Sequence, residues 1–195
     1  MTTPRSIKPA QWVHVGILAL ALGTGSMAVA QTSTGSGEPN FWQAGQGEGW
    51  GARLGYHDDY RRLGLVYETA PLWSHQSSGE WGRVTLTAEL GVAYWDAQHG
   101  HPDSLWQVSA TPMLRWWPNE FFYTEIGVGV NAFSRTSFAD KGLGSAFQFG
   151  NHIGVGALIA DAHRIGLRYS HFSNAGIKKP NDGLDVLQLT YTYQF

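Results

Sequence analysis

Between Arg83 and Ile159 apolar and polar residues alternate with a period of two, segment after segment. Val84, Leu86, Ala88, Leu90, Val92 and Tyr94 share one face, opposed by Thr85, Thr87, Glu89, Gly91 and Ala93. The pattern repeats with Trp106, Val108, Leu114 and Trp116 against Gln107, Ser109, Thr111 and Arg115. It returns with Phe122, Ile126, Val128 and Val130 against Glu125, Gly127, Gly129 and Asn131, and again from Phe147 to Ile159. Side chains change face at every residue of a strand, so this period specifies β-strands and excludes helices. Similar stretches run from Trp50 to His57, Tyr60 to Thr69, Arg164 to Ser173 and Gly183 to Phe195. The total is eight, with several near the ~10 residues that a tilted membrane-crossing strand needs.

The identity of the two rows decides what the sheet encloses. The apolar row is almost unbroken, whereas the other carries Arg53, Arg62, Arg115 and Arg168 with Glu68, Glu89 and Glu125, spaced by glycines. A soluble ligand-carrying barrel would reverse this, apolar inside and polar outside. The expected fold is therefore all-β: an eight-stranded antiparallel transmembrane β-barrel of the bacterial outer membrane. In so narrow an interior, nearly balanced charges should pair and leave no pore. Nine Trp, eight Tyr and nine Phe fit interfacial girdles at strand ends. The absence of cysteine excludes disulfide and thiol chemistry. A net charge of −2 argues against a nucleic-acid partner.

Residues 1–30 read as a signal peptide. Arg5 and Lys8 precede the apolar run Val15 to Leu22, and Ala28-Val29-Ala30 suits cleavage before Gln31. Residues 31–48 are rich in Gly, Ser and Gln and read as a flexible leader, leaving 49–195 for the barrel. The chain ends Tyr191, Tyr193, Phe195, alternating aromatics that resemble the signal by which outer-membrane barrels engage the barrel assembly machinery. A homo-oligomer stays open.

Three polar residues interrupt the apolar row near the C-terminus. In the seventh strand Ile165, Leu167 and Tyr169 are followed on the same face by His171 and Ser173. In the eighth, Phe195, Tyr193, Tyr191, Leu189 and Leu187 lead to Asp185. Polar groups facing hydrocarbon are costly, so a cluster of them needs a reason. With the turn at 161–163 and the C-terminus taken as periplasmic, a rise of ~3.3 Å per residue and ~40° tilt put His171 roughly 18 Å up, Ser173 roughly 23 Å and Asp185 roughly 25 Å. All three then sit at the outer-leaflet end, with Asp185 level with Ser173.

These residue types suit a serine esterase. Ser173 would be the nucleophile, His171 its base, and Asp185 the carboxylate that orients the imidazole. Asn174 and the backbone N–H of Gly176 are candidate oxyanion donors. Asp182 competes with Asp185 for the acid's role if a turn brings it back toward His171. Lys178 and Lys179, beside the site, could bind the phosphates of an outer-leaflet lipid but read first as solvated. His57-Asp58-Asp59 and His99-Gly100-His101 resemble metal ligands but lack a clear third partner, so they read as solvated loop residues and no metal site is assigned.

The motif HFSNAGIKKPNDG, His171 to Gly183, with an acid two residues on, resembles the PagL family of outer-membrane lipid A 3-O-deacylases. Looser similarity, such as YWDA at 94–97, covers most of the chain after the signal. The resemblance implies base and nucleophile roles for His171 and Ser173, an oxyanion hole at Asn174 and Gly176, and a place near the substrate for Asn181. It also implies lipopolysaccharide as substrate, amid outer-membrane lipids, and cleavage of the 3-position ester with release of a 3-hydroxy fatty acid. No metal or organic cofactor is implied. The family's third member is Glu, where this chain has Asp185, shorter by one C–C bond, ~1.5 Å. Two other classes stay open: a non-enzymatic surface or adhesion barrel, and another lipid-face enzyme such as a phospholipase.

Overall fold

The structure, a computed structural model, describes residues 46–77 and 81–195. The expected signal peptide, and residues 31–45 of the expected leader, lie outside the described residues. The strands, in chain order, are β1 (Gly49–Tyr56), β2 (Tyr60–Glu68), β3 (Trp73–Gln76), β4 (Arg83–Ala97), β5 (Ser104–Trp117), β6 (Phe122–Phe133), β7 (Ser137–Phe138), β8 (Lys141–Gly142), β9 (Phe147–Ile159), β10 (His163–Ser173) and β11 (Leu184–Gln194).

Eight of these close a barrel, in the order β1, β2, β4, β5, β6, β9, β10, β11 and back to β1, every pair antiparallel. They are the eight segments that alternation marks in the sequence. β3 lies along the first residues of β4, and β7 and β8 form a hairpin in the β6–β9 connection. Closure satisfies the backbone hydrogen bonds between strands and leaves no edge, the condition for a sheet to cross hydrocarbon. No helix among the described residues is long and apolar enough to cross a membrane.

The connections differ at the two ends of the barrel. Where the chain ends, β9 and β10 are joined by a tight turn in which Ala160 and Asp161 take positive φ, and His163 opens β10 where the sequence suggested the end of the turn. The last two residues of the expected leader are tied down at this same end. Glu48 O accepts the Phe195 N–H at 2.9 Å and Gly47 O accepts from Gln194 Nε2 at 3.0 Å.

Apolar residues of the outward row, such as Leu54, Ile126, Ile153 and Leu167, are half exposed, while their neighbours in sequence are buried inside. The interior is an ion-pair lattice. Glu89 accepts from Arg53 at 3.0 Å, Arg115 at 3.0 Å and Arg168 at 2.8 Å. Arg115 also reaches Glu68 at 2.9 Å and Glu125 at 2.8 Å, and Arg168 reaches Glu125 at 2.7 Å. Two features depart from the expected pairing. Arg62 bonds the amide oxygens of Gln107 (3.0 Å) and Gln188 (2.8 Å) and lies over the Trp95 ring, while Arg164 joins the lattice through Glu68 at 2.6 Å.

Beyond the lattice, the barrel mouth at the end away from the C-terminus is closed by an apolar cluster that includes Tyr60, Trp95, Phe133, Phe138, Leu143, Phe172 and Leu184. Phe138 and Leu143 come from the β7–β8 hairpin and its end, so the hairpin folds over the barrel. That hairpin meets the last loop: Asp182 Oδ2 accepts the Gly142 N–H at 2.6 Å, and the Asp182 N–H donates to Gly142 O at 3.0 Å. The loop that carries the candidate site is thereby anchored.

Candidate active site

β10 and β11 are neighbours, so the three polar interruptions of the apolar row meet on one patch. In the register of this pair His171 stands directly opposite Asp185. His171 Nδ1 lies 2.8 Å from Asp185 Oδ1, with the two side chains 39% and 44% exposed, so the pair is presented to the outside of the barrel and not to its interior. The acid stands level with His171 and not with Ser173. Depth measured along each strand separately misses the slide between neighbouring tilted strands, which the hydrogen-bond register sets.

Ser173 lies two residues further along the same face, at the end of β10 and half buried. Two residues of extended chain put its Cα ~6.6 Å from that of His171. Among the described residues no hydrogen bond joins the two side chains. Such a link commonly tightens only once substrate is bound.

The imidazole is packed from above by Gly183. That residue has φ +72°, and a Cβ there would lie 3.0 Å from His171 Cε1. Glycine is required both for the backbone conformation and for the close approach of the ring.

The loop after Ser173 differs from the sequence expectation at one residue. Asn174 is fully buried, and its side-chain amide donates to Leu143 O at 2.8 Å and Lys178 O at 2.7 Å. Its backbone N–H donates to Asn181 Oδ1 at 3.0 Å. Asn174 therefore ties the loop to the β7–β8 hairpin, with both kinds of donor committed, and presents none to the lipid face. Asn181 shapes the same turn from its other side. Gly176 is exposed, has φ +79° and has nothing within 4 Å of where its Cβ would be, so its backbone borders open space.

Asp182 is spoken for by Gly142 and does not reach His171. Lys178 and Lys179 are exposed in the β10–β11 connection next to the candidate site. His57 stacks on Tyr60 with ring centroids 4.4 Å apart, its Nδ1 3.6 Å from Asp59 Oδ2. No group of three or more His, Cys, Asp or Glu residues among the described residues is arranged to hold a metal ion.

Three further residues surround the pair. Tyr169, two residues before His171 on the same face, donates its hydroxyl to Asp185 Oδ1 at 2.6 Å. Tyr60, buried inside the barrel, grips the Asp185 backbone, its hydroxyl donating to Asp185 O at 2.9 Å and accepting the Asp185 N–H at 3.0 Å. Asn151 of β9 is exposed opposite His171, extending the polar row to a third strand. Alternation already puts Tyr169 and Asn151 on the lipid side; their approach to the site depends on strand register.

The chain matches the family described as Lipid A 3-O-deacylase (PagL) over residues 59–194. It is 63% identical over 142 residues to the lipid A deacylase PagL of Bordetella bronchiseptica, covering 72% of this chain and 80% of that one. It is 36% identical over 138 residues to the lipid A deacylase PagL of Pseudomonas aeruginosa, covering 67% and 75% respectively. Among solved structures it is similar to the crystal structure of the outer membrane enzyme PagL, with TM-score 0.65 and 28% identity, covering 75% of this chain and 99% of that one.

Proposed function

The chain belongs to the lipid A 3-O-deacylase (PagL) family, and we propose that it works as a serine esterase of the outer membrane, with Ser173 as nucleophile, His171 as base and Asp185 as acid. The protein is an outer-membrane deacylase acting on lipid A. The observation that carries the mechanism is the His171–Asp185 hydrogen bond on the lipid-directed surface, with Ser173 one step along the same face.

In this mechanism Asp185 accepts the His171 Nδ1–H, which leaves the Nε2 lone pair free to act as the base. Ser173 Oγ attacks the carbonyl carbon of the 3-position ester while Nε2 takes its proton. The tetrahedral oxyanion needs donors at the loop beyond Ser173. The Gly176 N–H suits that task, because its backbone borders open space. Asn174 serves indirectly, by holding the turn that presents Gly176. The imidazolium then returns its proton to the departing sugar oxygen, leaving an acyl-serine. Water, deprotonated by the same imidazole, attacks that ester, and the imidazolium returns the proton to Ser173 Oγ as the C–Oγ bond breaks and the 3-hydroxy fatty acid is released.

A site on the barrel wall gives a membrane lipid direct lateral access. Its acyl chains stay beside Leu167, Leu187 and Ile153 while the ester reaches Ser173. Lys178 and Lys179, exposed beside the site, suit the phosphates of the same substrate.

The test is mass spectrometry of lipid A from cells that lack such an enzyme and express either the wild type or Ser173→Ala. Wild type should remove one hydroxyacyl group; the variant should remove none while still folding, as read by heat-modifiable migration. Deacylation by the folded variant would exclude Ser173 as the nucleophile.

A further inference from the structure

The Asp185 carboxylate has a donor that takes no part in the proposed reaction. Tyr169 Oη lies 2.6 Å from Asp185 Oδ1, the same oxygen that accepts from His171 Nδ1 at 2.8 Å. Tyr169 is 47% exposed, so burial alone does not hold its ring. Its own cross-strand partner is Leu187, and the hydroxyl reaches one step beyond, along β11, to meet the acid. The hydrogen bond is oriented across the strand pair.

An aspartate on an open surface is a loose orienting group. It can rotate about Cβ–Cγ, trade one oxygen for the other, or turn away from the imidazole toward headgroups and water. Here both backbone and carboxylate are restrained. Tyr60 grips the Asp185 backbone from inside the barrel through its N–H and its C=O. Tyr169 grips the carboxylate from the lipid side. A phenol O–H donating to a carboxylate is a charge-assisted bond, among the stronger kinds.

We infer that Tyr169 is a positioning residue for deacylation: its hydroxyl locks the Asp185 carboxylate so that the imidazole keeps Nε2 toward Ser173. The inference rests on the reading of Asp185 as the acid of the site. The lock is useful because Asp185 is 44% exposed and its carboxylate could otherwise turn away from the imidazole. An aromatic residue serving only as part of an interfacial girdle would need its ring but not this directed bond.

Initial rates on purified lipopolysaccharide in detergent, for Tyr169→Phe, Asp185→Asn and the double variant, test the inference. Tyr169→Phe should lower kcat about tenfold and leave KM unchanged. In the Asp185→Asn background the same change should cost nothing further, because the group it positions is gone. Heat-modifiable migration reports folding for each variant. Unchanged kcat in folded Tyr169→Phe would overturn the inference. So would an equal tenfold loss in the Asp185→Asn background, or a rise in KM alone, which would make Tyr169 a substrate contact. Ser173→Ala, measured alongside, separates the two levels: if it stays active the esterase reading itself falls, whereas an inactive Ser173→Ala beside a wild-type-like Tyr169→Phe removes only the role of Tyr169.

Discussion

His171 and Asp185 are direct cross-strand partners on the outer surface of the barrel, Nδ1 to Oδ1 2.8 Å apart. Directly opposed residues of an antiparallel pair have Cβ atoms ~4.5–5.5 Å apart, so an imidazole and a short carboxylate meet without bending either strand. That closeness puts the short aspartate side chain within reach of the imidazole, as its proposed role as acid requires. The competing acid, Asp182, is held away by the Gly142 N–H.

Asp185→Asn is therefore expected to be severe, with a rate loss of up to ~10⁴ as for a wrong histidine tautomer in a serine hydrolase. Asp182→Asn should be far milder, its cost being a looser loop. Asp185→Glu should retain activity if the longer acid is accommodated across the pair. Initial rates of the three variants on purified lipopolysaccharide check the assignment. A crippled Asp182→Asn beside a mild Asp185→Asn would reverse it.

Removing the Asn174 side chain should loosen the loop while leaving the barrel intact. Asn174→Ala removes two hydrogen bonds, one to Lys178 O and one to Leu143 O, which keeps Gln148 Nε2 and the Ser145 N–H, at a cost of ~0.5–1.5 kcal/mol for each bond. Proteolysis within 174–183 should accelerate and activity should fall, with the heat-modifiable band preserved. A variant as protease-resistant as wild type would show that the two bonds do not anchor the loop.

Glu89 is the hub of the interior lattice, bonded by Arg53, Arg115 and Arg168. Glu89→Ala leaves those guanidinium groups short of a counter-charge within the barrel. Breaking a buried pair in this way costs ~3–5 kcal/mol. Urea unfolding in lipid or detergent, monitored by tryptophan fluorescence, should show that loss. An unchanged midpoint would mean that Glu68 and Glu125 suffice.

With the proposed site at the end of the barrel expected to face outward, Lys178→Cys in intact cells should react with a membrane-impermeant maleimide. Reaction only after lysis would place that loop in the periplasm and invert the orientation.

Alternation is a local property, and its consequences are legible in the sequence. Period two assigns Arg53, Glu89 and Arg115 to the interior and Leu167, Tyr169, His171, Ser173 and Asp185 to the lipid side, because successive side chains on any strand must point oppositely. Eight such segments bound the barrel, and the cluster of polar residues on an apolar face marks the candidate site. Contacts between segments distant in the chain are not legible in the same way. Strand slide puts Asp185 opposite His171 and not level with Ser173, and brings Tyr169 onto the carboxylate. Inside, Arg62 settles on two amides and Arg164 on Glu68, since several partners lie within reach and geometry chooses among them. The loops are least legible. Asn174 and Asp182 turn inward to bind the β7–β8 hairpin because that hairpin folds over the barrel mouth and supplies the carbonyl and N–H groups they need. A local pattern fixes which face a residue occupies; register and loop docking, set by hydrogen bonds between residues far apart in the chain, decide what it meets there.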